Sequence, residues 1–288
     1  MNIKKLNIFI IIVFLLNYLL AGFFYLVGGK WYTPISVTLG VIYMFIPFIG
    51  VIIVEKIIYK QQIIKPLGVS LKFNKWFIFA WFLPVIIAIS TLGISSLFPG
   101  IEYSSNMDGF FERFKDVITE DKLIEMKQRM FSLSIHPFWI GIFQGLIAGI
   151  SINAFIAFGE EIAWRGFLFN ELNYLGFWKS SILIGFIWGI WHAPIILQGH
   201  NYPQHPIIGV FMMIVFCILL SPIMSYIRTK SNSVIACSIF HGTLNATSGL
   251  SIILLKGGND IITGVTGLSG FTALTVINLL IYIYQNKT

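Results

Sequence analysis

"FWIGIFQGLIAGISINAFIAFGEEIAWRGFLFNEL", residues 138–172, decides what kind of fold this chain can adopt. Its first part is long and apolar enough to cross a bilayer, for which about 20 residues are needed. Two adjacent carboxylates follow, Glu160 and Glu161, and Arg165 comes four residues after the second. Ionisable groups inside or at the end of such a run are costly unless they face a bundle interior or a polar cavity.

The rest of the chain has the same character. Of its 288 residues, 57% are hydrophobic and 11% charged, with a mean hydropathy of +0.84. Soluble domains carry roughly 25% charged residues, so the deficit identifies a membrane protein. The net charge of +7 does not indicate nucleic acid, because the basic residues cluster at the ends of apolar runs, as topology signals do. Cys217 and Cys237 stand alone in apolar stretches, which indicates neither a disulfide framework nor a thiolate metal site. The first apolar run, Asn7 to Val27, exceeds a signal-peptide core and lacks an A-x-A site, so it is expected to be a retained anchor.

Eight spans are expected, near 7–27, 33–54, 76–98, 137–158, 180–197, 206–227, 233–252 and 268–285. They predict an all-α integral membrane protein, a single bundle of about eight transmembrane helices around a polar cavity. Its regions would be 1–135 (three spans and an amphipathic outer segment), 136–256 (the core) and 257–288 (the last span). Lys4, Lys5, Lys56, Lys60, Lys65, Lys72, Lys75, Lys179, Arg228, Lys230 and Lys287 fall on one side of this arrangement. The positive-inside rule then predicts a multi-pass cell-membrane protein with both termini cytoplasmic. It also puts "GEEIAWR" at the cytoplasmic end of the fourth span. Between residues 100 and 135, Phe110, Phe114, Val117, Ile118, Leu123, Ile124 and Met130 recur near a helical period. A surface-lying amphipathic helix is expected there, with a substrate-facing lid as the alternative. Gly141, Gly145 and Gly149, and Gly185 with Gly189, form small-xxx-small faces for close helix packing.

Three polar clusters interrupt the apolar background: Glu160, Glu161 and Arg165; His192; and His241 with Asn245. Glu161 and Arg165 are four apart and share a helix face, so they can pair. Glu160 points about 100° away and is free to face a cavity. His241 and Asn245 again share a face. A carboxylate beside a neutral imidazole can take a proton from water and pass it to a leaving amine. A second histidine and an amide can stabilise the oxyanion formed when that water attacks a carbonyl. Glu160, His192 and His241 are also the candidate ligands for a divalent metal such as zinc. The local H-E-x-x-H signature is absent, however, and the preferred chemistry requires no cofactor. Asn153, seven residues before Glu160, is a candidate second partner, whereas His136, His200 and His205 read as solvated loop residues.

"EEIAWR" resembles the EExxxR motif of the CPBP family of intramembrane proteases, the type II CAAX prenyl endopeptidases and their bacteriocin-processing relatives. "WGIWH" stands where that family has FxxxH, and "HGTLN" is similar to its HxxxN/D motif, in the same order and spacing. The likeness covers about Pro137 to Leu255. It departs at Trp188, where phenylalanine is usual. The resemblance implies that Glu160 and His192 activate water, that His241 and Asn245 form the oxyanion site, and that Glu161 and Arg165 support them. It further implies an endopeptidase acting on a peptide or membrane-anchored protein, such as a CAAX-like protein or a leader-peptide, pheromone or bacteriocin precursor. A non-enzymatic immunity or peptide-binding protein using the same cavity is the alternative, and a transporter is disfavoured because no inverted repeat is evident.

Overall fold

Hydrocarbon offers no partner for backbone N–H and C=O groups, so each apolar run must close its own hydrogen bonds as a helix. The computed structural model describes residues 2–114 and 119–287. α1 (Ile3–Leu26), α2 (Pro34–Val51) and α3 (Lys75–Ser95) come first, with α2 continuing π-helically over Ile52–Ile58. Two short helices follow, α4 (Asp108–Phe114) and α5 (Glu120–Phe131). α6 (Pro137–Ile150), α7 (Ile152–Glu161), a π-helical stretch Ile162–Leu168 and α8 (Phe169–Leu172) form one bent rod. α9 (Phe177–Trp191), α10 (Ala193–Ile196), α11 (Pro206–Ser231), α12 (Val234–Thr247) and α13 (Leu268–Lys287) complete the bundle. β1 (Glu102–Tyr103) and β2 (Leu255–Lys256) pair antiparallel and clip two connections together.

All eight expected segments are helical, and the protein is an all-α integral membrane protein. Among the described residues, five helices are long and apolar enough to cross a membrane, or six with the bent pair counted as one span. The other two differ from the expected length: α9 has 15 residues and α12 has 14. Their neighbours explain this. α12 is walled by α3, α6 and α7, so protein rather than lipid sets its length.

Connections gather at two ends. At one, Lys5 pairs with Glu55 at 2.7 Å and Glu171 at 2.9 Å, and the Asn74 amide donates to Ser231 O at 3.1 Å. At the other, the Trp31 and His200 rings lie 4.4 Å apart, and Tyr202 Oη donates to Thr266 O at 2.6 Å.

The fourth span departs most from expectation. It bends by 52° at Ser151, whose hydroxyl donates to Ile147 O at 2.7 Å. A side chain competing for the ladder in this way is a recognised cause of bending. The helix then does not end near 158. It runs on through the carboxylates, and every residue from Gly159 to Leu168 is buried. The motif expected at the end of the fourth span therefore lies within a longer helix, inside the bundle.

The 100–135 segment holds two helices, not one. Leu123, Met126 and Met130 of α5 pack on a small cluster containing Met107, Phe111 and Leu254, while Ile124 faces outward, 50% exposed. Val117 and Ile118 lie outside the described residues.

The glycine faces do pack closely, each against a different helix. A Cβ on Gly145 would lie 2.6 Å from Thr247 of α12, and one on Gly149 would strike Thr243. On α9, a Cβ on Gly185 would sit 2.5 Å from Cys217 O and 2.7 Å from Ile218 Cα, backbone atoms of α11 that cannot move aside. Gly185→Ala is expected to destabilise the protein by about 1–3 kcal/mol through overpacking, read as a lower midpoint of thermal unfolding in detergent. Gly22→Ala, with nothing within 4 Å of the new methyl, should leave that midpoint unchanged or slightly raised.

Candidate active site

Four elements converge on one indole. Trp188, in the last turn of α9, is 2% exposed. Its ring lies 5.7 Å from that of His192 and 5.5 Å from that of His241 on α12. The Arg165 guanidinium sits over it at 4.5 Å. Its N–H donates to Glu160 Oε2 at 2.7 Å.

Glu160 receives a second indole. Trp164, one turn further along the same rod, donates to the same Oε2 at 3.1 Å. Both donors are neutral, so the carboxylate is solvated by N–H groups without a cation of its own. Its Oε1 has no hydrogen-bond partner among the described residues. Spacing alone made Trp164 findable, because residues i and i+4 share a helix face, yet an aromatic in an apolar run gives no sign that its N–H has work to do.

Glu161 is placed differently. Arg165 Nη1 lies 3.3 Å from its Oε2 and His241 Nδ1 lies 2.8 Å from its Oε1, with all three side chains buried. The expected pairing with Arg165 is present, and His241 joins it from a helix 80 residues away in sequence. His192 Nδ1 lies 2.9 Å from Trp188 O. A carbonyl only accepts, so Nδ1 carries the proton and Nε2 presents a lone pair. Cys217 Sγ flanks the same ring at 4.0 Å.

Asn245 stands apart. It is exposed, one turn beyond His241, about 6 Å along the helix axis. It lines a cavity of about 310 Å³ with Asn153, His200, Trp31, Tyr32 and Met44. Glu160, His192 and His241 are not among the residues that line this cavity. The polar cavity therefore sits above the charged cluster and does not contain it. It belongs to the end of the bundle with Trp31 and His200, opposite Lys5 and Glu171. The position of "GEEIAWR" in sequence consequently gives no ground for placing the chemistry at the basic end. Asn153 also donates to Gly242 O at 3.3 Å, joining α7 to α12.

His200, read from sequence as a solvated loop residue, packs on Trp31 and faces this cavity. Desolvation pushes its imidazole down to about 4, so it presents a neutral ring there at ordinary pH. His136 and His205 are engaged locally, with Ser105 O at 2.9 Å and Asp260 at 2.6 Å. Among the described residues, no three His, Cys, Asp or Glu side chains cluster closely enough to hold a metal ion. Glu160 Oε2, His192 Nδ1 and His241 Nδ1 have other partners, which leaves Glu160 Oε1, His192 Nε2 and His241 Nε2 as the atoms through which these three side chains would meet a metal.

Residues 135–247 match the model of the Rce1-like family, described as type II CAAX prenyl endopeptidase. The core is similar to that of the type II CAAX prenyl endopeptidases over these 113 of the chain's 288 residues. The segment matched spans the bent rod, α9, α11 and α12, the elements that carry every charged group of the site. A CAAX prenyl protease 2 from Methanococcus maripaludis is 32% identical over 101 residues, covering 33% of this chain and 37% of that protein. The chain therefore matches a little over a third of the length of this curated relative.

Removing Arg165 leaves a buried carboxylate short of its cation. Arg165→Ala should lower stability by about 3–5 kcal/mol, the range for breaking a buried pair from one side. The expected result is a thermal midpoint well below that of Lys127→Ala, whose surface ion pair with Asp108 is worth at most about 1 kcal/mol.

Proposed function

We propose that the protein is a CAAX-type intramembrane endopeptidase that hydrolyses a peptide bond with a water activated by Glu160 and His192. The observation that carries this reading is that two open basic atoms, Glu160 Oε1 and His192 Nε2, belong to side chains that both contact Trp188. Both are oriented by bonds on their far sides, which is what a positioned general base requires. The likeness of the core to prenyl endopeptidases supports the same reaction class.

In this mechanism water loses a proton to the Glu160–His192 pair as its oxygen attacks the scissile carbonyl. The proton then passes to the departing amine. His241 is the oxyanion group: with Nδ1 bound to Glu161, its Nε2 is the remaining donor. A doubly protonated His241 brings Glu160, Glu161 and Arg165 to zero net charge, which suits a buried cluster. Asn245 sits one turn further out, where it meets the substrate in the cavity and supplies a second donor to the same carbonyl. Fixed donors aimed at developing charge are typically worth about 10²–10³ in rate. Trp188, where phenylalanine is usual in the family, adds an N–H that holds Glu160 from behind. Substrate peptide enters through the cavity bounded by Asn153, His200 and Asn245, and no step passes through a metal.

Glu160→Gln and His192→Ala are each expected to cut cleavage of a membrane-peptide substrate by at least about 10², with membrane accumulation unchanged. The substrate is to be found by comparing membrane peptidomes of wild-type and Glu160→Gln cells. Normal cleavage by Glu160→Gln would overturn this mechanism, and self-protection that persists in a Glu160→Gln strain would favour the peptide-binding role. Activity should also survive dialysis against a chelator; its loss, restored by zinc, would overturn the metal-free mechanism.

The termini are proposed to be cytoplasmic. Because Cys217 and Cys237 are both buried, single cysteines can be labelled selectively in intact cells. Lys256→Cys should react with an impermeant maleimide and Lys72→Cys should not.

A further inference from the structure

A second cavity lies away from the charged cluster. A groove of about 820 Å³ runs along the outside of the bundle between α3, α11 and α13. Its floor is apolar, with Leu83, Ile86, Ile223, Ile277 and Ile281 among its lining residues, and it follows α3 from Lys75 to Ile94. At about 1.5 Å per residue that is roughly 28 Å, close to the thickness of the hydrocarbon layer.

One end of the groove is chemically distinct. Trp76, Tyr226 and Tyr284 line it there, with Trp76 and Tyr226 edge to face at 5.4 Å. Two exposed lysines bracket these rings. Lys75 Nζ lies 6.0 Å from the Trp76 ring, and Lys230 Nζ lies 5.4 Å and 5.6 Å from the Tyr226 and Tyr284 rings. Neither lysine has a carboxylate within salt-bridge distance among the described residues. Among the described residues, the nearby carboxylates of this end, the buried Glu55 and the partly buried Glu171, are both taken by Lys5. Positive charge therefore stands uncompensated at the mouth of a membrane-length apolar trough, with interfacial aromatics between the two.

We propose that this groove is a binding site for one anionic phospholipid from the surrounding leaflet. An acyl chain lies along α3 and α13, and the phosphate sits between the Lys75 and Lys230 ammonium groups at the level of Trp76 and Tyr284. Charge complementarity selects this occupant: a zwitterionic lipid carries its own cation to the same place, and a peptide would leave backbone groups unpaired against the apolar floor. The site is separate from the proposed active site and does not depend on the endopeptidase reading.

The test is native mass spectrometry of the whole protein released from nanodiscs of phosphatidylcholine and phosphatidylglycerol at nine to one. The expected result is one retained phosphatidylglycerol per chain, enriched at least tenfold over its share of the bilayer. Lys75→Ser combined with Lys230→Ser should abolish that enrichment, and Ala273→Phe, which fills the floor, should lower retention of any lipid. Lys4→Ser, an exposed lysine of the same end that does not line the groove, should change nothing. Equal retention of the two lipids, enrichment that survives the double lysine variant, or a second copy of the chain in place of lipid would each overturn the proposal. The lysine positions are exposed, so a folded double variant is expected, and an unchanged thermal midpoint in detergent without added lipid confirms that folding is not what was lost.

Discussion

Placing two carboxylates side by side within an apolar bundle is the constraint from which the site's geometry follows. Glu161 is compensated by Arg165 on its own helix and by His241 from α12. Glu160 has no cation of its own and is solvated by the indoles of Trp164 and Trp188. Burial of an ion is tolerated only where its lone pairs are met, so these partners must arrive at fixed positions. That requirement ties the bent rod to α9 and α12 at one level of the bundle.

The helix packing serves the same end. α9 reaches α11 through Gly185 and Gly189, while α6 reaches α12 through Gly145 and Gly149. In lipid, where apolar association has little driving force, close backbone approach is a main source of helix affinity. The close contacts thus fall on the pairs that carry His192 and His241. Trp188 is buried beside both histidines, and the open cavity is lined by Asn245, one turn beyond His241, and by Asn153.

The charge distribution divides the molecule into two ends. Basic side chains crowd the end that holds Lys5, Lys75 and Lys230, where Glu55 and Glu171 are both paired with Lys5. The cavity opens at the other end, among Trp31, Tyr32 and His200. A long apolar groove and a small polar one thus serve different surfaces of a single bundle.

Much of this was legible before any coordinates. Hydropathy determined the membrane class and the approximate spans, because the lack of backbone partners in lipid leaves few alternatives to helices. Spacing determined the Glu161–Arg165 pair, because the helix places i and i+4 on one face. The motif order singled out Glu160, His192, His241 and Asn245. Tertiary structure alone decided that the helix continues past residue 158, since only packing against α2 and the 63–69 loop shows that Gly159 to Leu168 are shielded. It alone showed that His241 turns to Glu161, that two tryptophans rather than a cation meet Glu160, and that Asn245 opens to a cavity the other three do not line. Those are contacts between residues far apart in the chain, and local periodicity carries no information about which helix will stand opposite.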